Sequence, residues 1–79
     1  MRIDQRFRSR KDLHCHIVYF EHGDILEMSG VSAFVVEQLR EDRTRGQLIQ
    51  SVLTRYPRRN AKLEVDNVIE TLRELGLLS

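Results

Sequence analysis

The sequence predicts an α+β domain, with strands in the first part of the chain and helices in the rest. Three observations predict it. Residues 13–28 place apolar side chains at a spacing of two on either side of a Gly-Asp pair, the period of β-structure. After Met28 the apolar spacing changes to three and four, the period of a helix. From there to the end, N-cap residues and a late glycine punctuate three helical segments. Strands followed by helices sort into one α+β unit. With 79 residues the chain can build one core, so residues 1–79 are read as a single domain.

Residues 2–10 alternate loosely, with Ile3 and Phe7 among polar neighbours. They read either as a first, weakly specified strand or as a frayed arm. Residues 13–20, LHCHIVYF, are rich in β-branched and aromatic types and read as the second strand. Alternation puts His14, His16 and Val18 on one face and Leu13, Cys15, Ile17 and Tyr19 on the other. Glu21-His22-Gly23 is a turn in which Gly23 can take a positive φ. Residues 24–28 form a short third strand, with Leu26 and Met28 on one face, and close an antiparallel hairpin.

Ser29 is a good N-cap for the first helix, whose stripe is Val31, Phe34, Val35 and Leu39. Val36 falls off that stripe, which predicts burial on more than one side. A polar connection follows at residues 40–43. Thr44-Arg45-Gly46-Gln47 is a capping-box pattern opening the second helix. Its stripe is Leu48, Ile49, Val52 and Leu53, with Tyr56 beside it, and Pro57 disfavours helix at Tyr56. The third helix starts either at an Asn60 cap or nearer Leu63. Its stripe is Val65, Val68, Ile69, Leu72 and Leu75, and Gly76 is a strong stop. Leu77 and Leu78 then return to the core.

Composition narrows the classes of function. At 41% apolar and 32% charged, the chain is too apolar to be disordered. A lone cysteine excludes an internal disulfide, no signal-peptide pattern opens the chain, and no apolar run could span a bilayer. A cytoplasmic protein with no membrane partner is expected. The three histidines and Cys15 all fall in residues 13–23 and raise the question of a metal. His14 and His16 could offer two ligands, with Asp12 or Glu21 as a third, but a structural zinc site needs four. Neither a metal nor a cofactor is expected. Cys15 with His14 or His16 would suggest nucleophilic catalysis. Alternation sends them to opposite faces, however, whereas nucleophile and base must approach to about 2.6–3.2 Å. No Gly-rich phosphate loop is present. The expectation is a protein without catalytic residues, not an enzyme; Cys15 reads as a small buried residue.

The net charge of +1 conceals blocks. Residues 43–62 hold six basic residues and no acid, while residues 64–74 hold four acids against Arg73. The N-terminal stretch is basic as well, with Arg2, Arg6, Arg8, Arg10 and Lys11. Such blocks bear on the choice of partner.

The stretch GDILEMSGVSAFVVEQLREDRTRGQLIQSVLTRYP, followed by LEVDNVIETLRELGLL, resembles the PqqD-like family. The likeness is carried by Leu26-Glu27-Met28-Ser29 at the strand-to-helix step, Arg43-Thr44, Tyr56, Asp66-Asn67-Val68 and the closing Leu75-Gly76-Leu77-Leu78. Two positions depart from the pattern: Ser29 replaces the usual Asn, keeping the capping role, and Glu41 stands where the first helix often ends in Gly. The resemblance implies a small winged-helix-like domain, a three-stranded antiparallel sheet followed by three helices. It further implies a recognition element for ribosomally made, post-translationally modified peptides. The leader region of a precursor peptide would add as a strand beside the third strand and face the third helix. The matching positions are Asp24, Ile25, Leu26, Glu27 and Met28, with Asp66, Asn67, Glu70, Thr71, Arg73 and Glu74 on the helix. The other implied partner is a modifying enzyme, in this family often a radical S-adenosylmethionine maturase.

Independently of the resemblance, an edge strand offers backbone groups for β-augmentation. The competing reading is a winged helix-turn-helix nucleic-acid-binding protein, suggested by the basic middle of the chain. Two features oppose it. The connection after Pro57 is longer than the turn of about 3–4 residues in that motif. The third helix, which would enter the groove, is acidic, whereas phosphate contacts from Lys and Arg dominate such affinity. No nucleic-acid partner is therefore expected.

Overall fold

The computed structural model describes Met1–Ser79. Three strands, β1 (Phe7–Lys11), β2 (His16–Phe20) and β3 (Ile25–Met28), precede three helices, α1 (Gly30–Gln38), α2 (Arg45–Arg55) and α3 (Ala61–Glu74). The sheet is antiparallel in the order β1-β2-β3. Three strands and then three helices make a small α+β domain, as the change of period predicts.

The caps are those the sequence specifies. The Ser29 side chain accepts from the Ser32 N–H, and Thr44 with Gln47 forms a reciprocal capping box. Asn60 accepts from the Leu63 N–H, which settles the start of α3 at Ala61. Gly76, at φ 70°, lets the chain leave α3 and sends Leu77 back into the core, fully buried. Gly23, at φ 113°, completes the β2–β3 turn. Its N–H donates to the Phe20 carbonyl at 3.0 Å, which makes a three-residue hairpin loop with a glycine bulge.

The core lies between the sheet and the helices. Phe7, Val18 and Phe20 from the sheet meet Val31, Val35, Val36 and Leu39 of α1, with Leu48 and Val52 of α2 and Val65, Val68, Ile69 and Leu72 of α3. Val36 is fully buried although it falls off the simple stripe, because α1 packs against β2, α2 and α3 together. No helix is long and apolar enough to cross a membrane.

Three expectations need correction, and one open alternative is decided. The second strand begins at His16 rather than Leu13. The Asp12 N–H donates to the Cys15 carbonyl at 2.8 Å and the Asp12 carboxylate accepts from the Leu13 N–H. A tight turn therefore forms at Leu13-His14 without glycine or proline, and Leu13 is 84% exposed at its tip. Cys15 is consequently half-buried rather than buried. Leu53 and Leu75, assigned to the apolar stripes, are 42% and 38% exposed, since neither α2 nor α3 has a neighbour on that side. Of the two readings of the N-terminal stretch, the strand holds, as β1 at Phe7–Lys11, and the residues before it are packed. Ile3 is buried, bridges Leu78 and donates its N–H to the Leu39 carbonyl at 2.9 Å.

Candidate functional site: the open edge of the third strand

Backbone hydrogen bonds decide which groups of the sheet are free. The Phe20 N–H donates to the Asp24 carbonyl and the Glu21 N–H to the Arg6 carbonyl, both at 2.9 Å. With the observed register, the even residues of β2 therefore bond toward β3 and the odd ones toward β1. In β3 the inward pairs are Leu26 with Val18 and Met28 with His16. Ile25 and Glu27 direct their N–H and C=O groups away from β2, and no strand lies beyond them. Side chains alternate as well. Leu26 and Met28 lean onto the core, and Ile25 and Glu27 are exposed.

Beside this edge runs a groove of about 240 Å³ that separates β3 from α3. Its apolar floor is Leu26, Met28, Val68 and Leu72, with Ser32 of α1 at the base. Glu27 on one side and Asn67 and Thr71 on the other form polar lips. The groove thus combines unpaired backbone with a narrow apolar slot.

The structure divides the candidate residues on α3. Asn67 and Thr71 face β3, while Asp66, Glu70, Arg73 and Glu74 line a second depression, beside Arg45 and Met1. Arg45 hydrogen-bonds both oxygens of Asp66 and holds its carboxyl below the usual range. Asp24, one residue before β3, is engaged at the turn, its Oδ2 lying 2.6 Å from His22 Nε2. Leu26 and Met28 are expected from the sequence, but the rest of the floor is not. Val68 and Leu72 carried the signal of the apolar stripe, but nothing marked Ser32 beyond its small size.

Other candidate chemistry is dispersed. His14 is exposed in the β1–β2 turn, His16 packs beside Gly30 at the start of α1, and His22 contacts Gln5 and Asp24. No three His, Cys, Asp or Glu side chains lie close enough together to hold a metal ion. Within the basic block, Arg43 pairs with Glu41, Arg45 with Asp66 and Arg59 with Glu64. Half of its six basic residues are thereby neutralised within the fold.

Residues 15–78 match the family model described as coenzyme PQQ synthesis protein D (PqqD). No curated protein and no solved structure matches the chain. The matched stretch runs from β2 through Leu78 and includes both walls of the groove, β3 and α3. Members of this family are non-catalytic accessory proteins. The chain belongs to the PqqD family, and with it to the biosynthesis of PQQ and related ribosomally made, modified peptides.

Proposed function

We propose that this protein captures the leader region of a precursor peptide by strand addition to β3 and presents it to a modifying enzyme, performing no chemistry itself. The observation that carries this reading is the open edge at Ile25 and Glu27 beside an apolar groove. An incoming strand satisfies the free N–H and C=O groups of those two residues, which supplies affinity without regard to sequence. Its side chains then alternate. One set turns toward Leu26, Met28, Val68 and Leu72 and must be apolar; the other lies beside Ile25 and Glu27 on the outer face.

Asn67 and Thr71, on the wall opposite Glu27, select among leaders through hydrogen bonds. Glu70 and Glu74 add a negative field toward basic leader residues, while Asp66 and Arg73 lie farther around the helix. Held as a fourth strand, the leader has one fixed direction, and the segment to be modified leaves from one end of β3. Amide hydrogen exchange with the cognate leader tests the reading. Binding should slow exchange at Ile25 and Glu27 and leave Leu26 unchanged; binding without protection at those two amides contradicts it.

A further inference from the structure

The sheet has a second open edge. By the same alternation, β1 bonds β2 through Arg8 and Arg10, so Phe7, Ser9 and Lys11 direct their backbone groups outward. Of these groups only the Phe7 carbonyl has a partner, the Arg40 guanidinium at 3.1 Å. Arg6, Arg8 and Arg10 alternate onto the outer face of the sheet, with Lys11 at the end of the strand. All four cations are exposed, and none forms an ion pair within the fold. An open depression of about 1070 Å³ is lined by β1 together with Tyr19 to Glu21 and Arg40, and has Glu21 as its one acidic lining residue.

We propose that the β1 edge docks an extended, acidic segment of a partner protein as an added strand. Charges on an edge strand keep like strands away, so a second copy of this basic edge is repelled. The same charges favour an acidic strand, whose carboxylates would stand directly across from Arg8 and Arg10. Free backbone at Ser9 and Lys11 favours a polypeptide over nucleic acid, since it can complete a ladder only with another peptide chain. The family match begins at residue 15, so β1 lies outside it. The two edges are about 10 Å apart across the sheet, and both can be filled at once. This proposal stands independently of leader capture, which is read at Ile25 and Glu27.

The test uses the full chain and a synthetic peptide alternating glutamate and valine, with a lysine–valine peptide and a mixed-sequence DNA duplex as controls. The acidic peptide should bind and slow amide exchange at Ser9 and Lys11 but not at Arg8 or Arg10. Arg8→Glu with Arg10→Glu should weaken it about tenfold or more, and the paired Arg→Gln variants should weaken it less. Circular dichroism confirms that each variant is folded. Failure of the acidic peptide to bind overturns the proposal, as does binding without protection at Ser9 and Lys11. Tighter binding of the duplex overturns it too, by making the surface a site for nucleic acid.

Discussion

Arg45, the first residue of α2, holds Asp66 of α3 in a two-pronged ion pair, Nε to Oδ1 at 2.7 Å and Nη2 to Oδ2 at 2.9 Å. The carboxylate is therefore turned toward α2 and away from the β3 groove. Asp66→Asn should lower the melting temperature slightly, and less so at high salt, because both partners are half-exposed and screened. Its leader affinity, measured by calorimetry, should stay near the parent value. A large loss of affinity would place Asp66 in contact with the leader.

Thr71 and Asn67 are the groove-side positions of α3, so bulk there should act on binding and not on folding. Thr71→Trp should narrow the slot beside Leu26 and Met28 and weaken the leader about tenfold or more. Glu70→Lys should change the salt dependence of binding with a smaller effect on affinity. Equal effects of the two substitutions would remove the distinction between groove and crest.

Packing makes a sharper contrast along one helix. Leu72 is fully buried, and Leu72→Ala should cost about 2–5 kcal/mol. Leu75→Ala and Leu53→Ala, at partly exposed positions, should cost less than about 1 kcal/mol each. Urea denaturation measures all three. Similar costs for Leu72 and Leu75 would mean that Leu75 is covered in solution.

These contrasts mark where the sequence was legible. Caps at Ser29 and Thr44 are local chemistry, so two helix starts could be read directly, while Asn60 left two starts open for the third; the change of period at Met28 gave the order of elements. The burial of Ile3 could not be read, because its partner Leu78 lies at the other end of the chain. The short β2 arises from an Asp12 side chain closing a turn inside a β-like sequence. On α3 the family resemblance pointed to six polar residues but not to the rotation of the helix. Packing against α1 and α2 sets that rotation and separates Asn67 and Thr71 from Asp66 and Arg73.

Acid should destabilise the domain through Glu37. Its carboxylate accepts from Arg40 Nε at 2.5 Å, just past the end of α1, and from Ser9 Oγ at 2.6 Å, a tie that joins α1 to β1. The hydrogen bond from Arg40 leads in holding this carboxyl below its usual range. With the folded pKa depressed, the unfolded chain takes up the proton first as pH falls. The contribution is complete near neutrality and is lost as pH drops below about 4. Glu37→Gln should therefore be less stable than the parent at about pH 7, and the gap should narrow by about pH 3. Urea midpoints that keep a constant separation at both pH values would remove Glu37 from the acid response.

A proline scan of β3 tests strand addition most directly. Proline removes one N–H and fixes φ near −65°, and edge strands tolerate it where the N–H faces outward. The N–H groups of Ile25 and Glu27 face outward, while that of Leu26 bonds β2. Ile25→Pro and Glu27→Pro should stay folded by circular dichroism and bind the cognate leader at least about tenfold more weakly. Leu26→Pro, which breaks the ladder and disturbs the core, should unfold the domain. If folded Ile25→Pro and Glu27→Pro variants both bind the leader with parental affinity, the leader does not add to β3.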